Sequence, residues 1–263
     1  MEPISKRIAF FSYGAVSYVI FFATFLYAMA FVGNLVVSQT IDGAPQIPFG
    51  QALVINVALL GLFAVQHSVM ARPAFKRWWT KFVPKPVERS TYVLFSSIAL
   101  LILFHNWQPM GGTIWDVQNE SLRYVLYGLF ALGWVVVLVA TFLINHFDLF
   151  GLRQVWLYLI GRPYTQLAFM TPGFYRYVRH PLYLGFLIGF WATPTMTVAH
   201  LVFALTTTAY ILIAIQLEEG DLVKALGNTY VEYRRRVPML IPRFKHAADA
   251  EQTIIRQSAP IAR

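Results

Sequence analysis

Four short stretches hold most of the side chains able to do chemistry. The first is Tyr175-Arg176-Tyr177-Val178-Arg179-His180-Pro181-Leu182-Tyr183-Leu184-Gly185. Proline suits the first helical position, where its missing N–H is not needed, so a helix is predicted to start at Pro181. Unsatisfied backbone amides at that start, with Arg179 and His180 beside them, form a site for a carboxylate or similar anion. The plainer reading is a basic membrane anchor next to an interfacial histidine. The second stretch is Glu218-Glu219, which ends a long apolar segment. An acid deep in a bilayer costs roughly 2.5–3.5 kcal/mol on insertion scales. The pair must therefore sit just outside the core or be paired. Such carboxylates can accept hydrogen bonds from ribose hydroxyls or an ammonium and attract a cationic centre. The alternative is an ordinary helix exit with solvated acids.

The third stretch is Asn145-His146-Phe147-Asp148-Leu149-Phe150-Gly151-Leu152-Arg153-Gln154. His146 and Asp148 could work as a base and the group that orients it. Two residues apart on a regular helix they would not face each other, although a loop there relaxes the objection. The fourth is Gln66-His67-Ser68-Val69-Met70-Ala71-Arg72-Pro73, where His67 near a helix end reads as a hydrogen-bonded structural group. Metal chemistry has little support. The six histidines are scattered, cysteine is absent and no HExxH occurs. No phosphate loop, dinucleotide glycine fingerprint or GxSxG elbow is present.

The elements that must position these groups are membrane helices. Hydrophobic residues make up 57% of the 263 residues and charged ones 13%, against about 25% charged in a soluble domain. The net charge of +9 would suggest nucleic acid on a soluble chain; here the positive-inside rule accounts for it, and no nucleic-acid partner is expected. A span needs roughly 20 apolar residues. The candidates are 8–37, 49–70, 92–107 and 122–145, then 182–191 and 198–217 as a hairpin broken at Ala192-Thr193-Pro194-Thr195. The piece 182–191 is too short to cross alone. A basic amphipathic helix follows over 222–236, with Leu222, Leu226 and Tyr230 on one stripe.

Basic residues fall on alternate connections. Arg72–Arg89, His146–Arg179 and the tail, including Arg243 and Lys245, are basic, whereas Ser38–Pro48 has no Lys or Arg. That pattern places both termini in the cytoplasm, and in a bacterium the membrane would be the plasma membrane. The expected fold is therefore all-α: a polytopic integral membrane helical bundle of about five spans, with a C-terminal hairpin and a cytoplasmic amphipathic helix. It divides into N-terminal transmembrane helices (1–145), a cofactor-binding region with the terminal hairpin (146–246) and a flexible tail (247–263).

The order Tyr175…Arg179-His180-Pro181-Leu182-Tyr183-Leu184-Gly185, Glu218-Glu219, Gly227-Asn228-Thr229-Tyr230 and Tyr233…Val237-Pro238 resembles the membrane methyltransferases typified by isoprenylcysteine carboxyl methyltransferase. Phospholipid methyltransferases share this frame, and sterol reductases are more distant. Gln66–Arg72, Glu88-Arg89-Ser90-Thr91-Tyr92 and His146–Gln154 look like the nurim family, whose bacterial members include enzymes that methylate methanethiol. The resemblance implies S-adenosylmethionine as cofactor, in a pocket roofed by the C-terminal helix. Carried over by motif, its contacts are Tyr175, His180, Tyr183 and Glu218 or Glu219, with Leu167 and Met170 just upstream. Arg179, Tyr230 and Gln154 are counted with them. The prenylcysteine enzymes carry a substrate-binding Arg shortly before the acidic pair, where this chain has Ala214-Ile215-Gln216-Leu217. That departure points away from a prenylcysteine carboxylate and fits a small neutral or thiol acceptor; the resemblance to the nurim family's bacterial members makes methanethiol, giving dimethyl sulfide, the expected one. Methyl transfer from a sulfonium to a thiolate annihilates charge, so a dry site favours it. His146, Asp148 and His180 are the candidate bases. A lipid or isoprenoid acceptor, or a non-enzymatic membrane scaffold, are the other readings.

Overall fold

A computed structural model describes residues 2–242. The tail expected over 247–263, with Arg243 and Lys245, lies outside them. Among the described residues, five helices are long and apolar enough to cross a membrane: α1 (Ile4–Val32), α2 (Phe49–Ala71), α4 (Lys85–Asn106), α5 (Glu120–Leu143) and α9 (Val198–Leu226). Short helices α3 (Pro73–Trp79), α6 (His146–Leu149), α7 (Leu152–Leu159), α8 (Pro181–Trp191) and α10 (Asn228–Arg236) complete the bundle. The faces of the long helices that meet no neighbour carry Val16, Val19, Val54, Val65, Leu132, Val135 and Ile213, all exposed, as lipid contact requires. The protein is an integral membrane protein built of helices.

Several boundaries differ from those read in the sequence. Helix α4 begins seven residues before Tyr92, so Glu88 and Arg89 are helical; their charge hid the continuation. Helix α9 does not stop at Leu217 but runs through Glu218-Glu219 to Leu226. At about 1.5 Å per residue its 29 residues reach about 43 Å, well beyond a hydrocarbon core of about 30 Å, so its last turns stand clear of the membrane. It ends at Gly227, whose φ of +58° with ψ of −134° is open only to glycine. The amphipathic helix read over 222–236 is thus two elements, and Tyr230 leaves the stripe of Leu222 and Leu226 to become buried.

Helix α8 is held in place by bare backbone. Its Gly185 and Gly189 face Gly133 of α5 so closely that a Cβ on Gly133 would lie 2.6 Å from the Gly189 nitrogen and 2.7 Å from the Gly185 oxygen. Small residues permit such approaches between helices in lipid, where packing rather than hydrophobicity drives association. Where α8 ends, strand β2 (Thr195–Thr197) pairs antiparallel with β1 (Thr113–Asp116), a ribbon the sequence did not announce.

The largest apolar cluster among the described residues runs from this ribbon end, at Phe31, Ile41, Trp107 and Phe203, along α9 to Ile215. Asp42 fastens this end. It accepts from the Asn34 amide at 2.6 Å and from the Thr197 hydroxyl, with His200 3.9 Å away. Burial pushes the Asp42 carboxyl up, but His200, Thr197 and Asn34 outweigh it and hold the group below the usual carboxylate range. A depressed folded pKa contributes stability above the unfolded value and loses it as pH falls through the folded one. Acidifying the detergent-solubilised protein below the ordinary carboxylate range should lower its thermal midpoint, and Asp42→Asn should flatten that slope. Equal slopes in both proteins would sink this assignment.

Candidate functional site

The opposite end of the bundle collects the charged groups, and the overlong α9 organises them. Adjacent residues on a helix point about 100° apart, so Glu218 and Glu219 serve different walls. Glu219 turns inward and is 4% exposed. Its Oε1 accepts from Arg179 Nε at 2.6 Å and from His180 Nε2 at 3.0 Å. Arg179 also donates to the carbonyls of Arg234 and Val237. The amides of Arg179 and His180 donate to the carbonyls of Pro238 and Met239, at 2.9 and 3.2 Å. These two amides form a seam between distant pieces of chain; the amides expected to be free for an anion are those that open α8 after Pro181. The carboxylate that Arg179 grips is the protein's own.

Glu218 is only half-buried and faces the other way, accepting from the Tyr183 hydroxyl at 3.2 Å. Its other carboxylate oxygen has no donor among the described residues. Tyr175 stands nearby, its carbonyl accepting from Tyr233 at 2.7 Å. Phe169 packs edge-on against Tyr230 and Tyr233, at 5.9 and 5.4 Å. Burial, helped by the Glu218 charge, pushes the Tyr175 phenol up. Burial and then Glu219 do the same to Tyr230, and burial with its two neighbouring phenols to Tyr233. All three remain neutral hydrogen-bond donors near neutral pH. Leu167 and Met170 are exposed on the extended stretch before Tyr175, at 40% and 70%.

His146 and Asp148 are not brought together. Asn145 adopts a left-handed φ of +86° and caps α6, which turns His146 into the bundle and Asp148 toward the surface. His146 is buried with both ring nitrogens engaged, at 2.8 Å from Tyr18 Oη and 2.8 Å from Thr141 Oγ1. Thr141 donates to Leu138, so its oxygen accepts from Nδ1–H and Nε2 accepts from Tyr18. Burial lowers the His146 pKa. Asp148 instead pairs with Arg153 at 2.9 Å and accepts from Tyr164. Gln154 donates to the Asp148 carbonyl at 3.0 Å, and both residues line a half-open cavity of about 780 Å³ with Lys76, Arg89 and Arg162.

A further group was not singled out from the sequence as functional. Arg89 links the Asp148 region to the bundle: it donates to the Leu149 carbonyl at 2.7 Å and stacks over Tyr92 at 4.9 Å. The Tyr92 hydroxyl meets His67 Nε2 at 2.9 Å, and His67 Nδ1 meets Ser96 Oγ at 3.1 Å. Arg72 pairs with Asp221 of α9 at 2.9 Å, and Ser68 meets Tyr210 of α9 at 3.2 Å. A signal for this group was available. Arg89, Tyr92 and Ser96 are spaced i, i+3, i+7, one face of a helix, but only once α4 is known to begin at Lys85. Among the described residues no three His, Asp or Glu side chains are grouped to hold a metal ion.

No protein-family model matches the chain, and no solved structure does so significantly. Curated proteins do. A methanethiol S-methyltransferase from Crocosphaera subtropica is 60% identical over 88% of this chain and 90% of its own. One from Mycobacterium tuberculosis is 56% identical over 90% of this chain and 97% of its own. Nurim from Bos taurus is 29% identical over 65% of this chain and 68% of its own. At that identity and coverage, the chain belongs to the methanethiol S-methyltransferase family, with nurim as a more distant relative.

Proposed function

We propose that the protein transfers a methyl group from S-adenosylmethionine to methanethiol, giving dimethyl sulfide, at the cytoplasmic face of the plasma membrane. Relatives carrying the name methanethiol S-methyltransferase support the reaction. The observation that carries the site is the division of labour between two neighbouring acids. Glu219 is consumed in joining Arg179 and His180, whereas Glu218 keeps an uncommitted oxygen beside Tyr183 and Tyr175. A free carboxylate oxygen among neutral phenols fits a ligand that has hydroxyl and ammonium donors and one fixed positive charge.

Glu218, Tyr183 and Tyr175 would hold the cofactor, with Leu167 and Met170 at the rim. Arg179, His180, Glu219 and Tyr230 fix the frame around them. When bound, the cofactor supplies a methyl group on a sulfonium sulfur. The chain's own contribution is to hold that centre against the bundle, exclude water and admit a small apolar thiol from the lipid side. Asp148 and Gln154, across Arg89, belong to the cytoplasmic mouth of the same region, and His146 supports it from beneath. The concentration of Lys and Arg at this end supports its cytoplasmic placement, with both termini on that side.

The test is to incubate purified protein with methyl-labelled cofactor and methanethiol and to collect the headspace. Labelled dimethyl sulfide is the expected product. Label appearing in extracted lipid would favour the lipid or isoprenoid acceptor. Cofactor bound without volatile product would sink the thiol assignment, and no cofactor binding at all would leave a scaffold.

A further inference from the structure

The proposed reaction requires a proton to leave the thiol, and the residues assigned above do not accept one. His146 is enclosed by the rings of Phe142, Phe147 and Phe150, His180 is committed to Glu219 and Asp148 to Arg153. The group joining α2, α4 and α9 is placed differently. A histidine within a membrane span is costly and by default marks function. His67 sits near the end of α2 with Phe63 stacked on its ring at 5.2 Å. The Tyr92 hydroxyl lies 2.9 Å from its Nε2 and 3.1 Å from its Nδ1, and Ser96 Oγ meets Nδ1 at 3.1 Å. Beside them the Gln66 Oε1 atom is buried and has no donor among the described residues. A buried acceptor left open in a native structure calls for a missing partner. A thiol S–H is a weak donor suited to such an acceptor, and Phe63 and Met70 supply an apolar wall. The charged groups that act on Tyr92 are Arg89, Arg72 and Glu218, with the Tyr210 phenol; those that act on His67 are Arg89 and Arg72. Ser68 and Arg72, beside His67 in the chain, meet Tyr210 and Asp221 of α9, the helix that also carries Glu218, so the two places adjoin.

We propose that Tyr92 and His67 form the proton-accepting side of the thiol site, with Gln66 Oε1 orienting the incoming S–H. This rests on the thiol-methylating reading above. As the thiol proton passes to the Tyr92 oxygen, the Tyr92 proton passes to His67 Nε2. The freed sulfur pair forms the new S–C bond, while the bond from that carbon to the sulfonium sulfur breaks and leaves its pair on that sulfur. The imidazolium then releases its proton to water. Arg89, stacked on the Tyr92 ring, stabilises the negative charge that passes through the phenol oxygen. Ser96 acts as a positioning residue through His67.

Tyr92→Phe removes one oxygen and keeps the ring under Arg89; His67→Gln is the second variant. Initial rates with methanethiol are measured from neutral to moderately alkaline pH. Binding of S-adenosylhomocysteine is measured by calorimetry on the same samples. Both variants should bind S-adenosylhomocysteine as the wild type does and lose about 100-fold or more in kcat at neutral pH. Their rates should then climb about tenfold per pH unit, as the thiolate fraction rises and no longer needs a base, while the wild type stays flatter. A loss independent of pH, a loss of S-adenosylhomocysteine binding, or no loss at all overturns the proposal. A wild type that methylates no thiol overturns the thiol reading itself, and this proposal with it.

Discussion

Replacing Glu219 by alanine is expected to cost about 3–5 kcal/mol of stability, because Arg179 and His180 would stay buried without the acceptor they share. Against a total of about 5–15 kcal/mol for a folded protein, that is enough to lose most of the material during extraction. The loss would spread beyond one ion pair. Arg179 also holds the carbonyls of Arg234 and Val237 at the C-terminal end of α10, so freeing it loosens α10 and buried Tyr230 together. Glu219→Gln, which keeps an oxygen but not the charge, should fall between alanine and the wild type. Thermal midpoints in one detergent measure both. An alanine variant as stable as the wild type would remove Glu219 from its structural role.

Glu218→Gln should behave in the opposite way. Glu218 is half-buried and has one tyrosine partner, so the variant should unfold at nearly the wild-type temperature. Its cofactor affinity should fall sharply. A hydrogen bond to a charged group contributes about 1.5–3 kcal/mol, which corresponds to roughly 10–150-fold in dissociation constant. Calorimetric titration with S-adenosylmethionine reads this directly. If Glu218→Gln destabilises the fold and leaves binding intact, the two acids have been assigned the wrong way round.

Which features could be read from the sequence follows from which forces are local. Apolar runs long enough to cross a bilayer report themselves, so the five spans and the short α8 were legible. The motif 179–185 and the acidic pair were legible as a site because charge at the edge of an apolar run is costly. The seam between 179–180 and 238–239 was not: it joins backbone groups 59 residues apart, and nothing in Pro238 or Met239 signals an acceptor. The fate of His146 depended on the left-handed turn at Asn145, a position most residues avoid. Arg89 and Tyr92 were legible as part of a family motif but not as one face of a helix, because a charged first turn looks like loop to any hydropathy argument. Glycine packing of α8 on α5 was written in Gly133, Gly185 and Gly189, but only the three-dimensional crossing gave it meaning.

The seam also bears on how the protein is made. Helix α8 has 11 residues, too few to span the membrane unaided, and the segment before it is fixed by the carbonyls of Pro238 and Met239. While the chain is still emerging from the ribosome, α1 to α5 can insert in turn, but α8 has only the glycine face of α5 to rest on. Arg179 and His180 gain their acceptor when Glu219 arrives, and their backbone partners later still. The nascent chain thus passes through a stage in which its membrane part is inserted and its reactive end is unformed. Translation, rather than a separate maturation step, sets the moment at which the site closes.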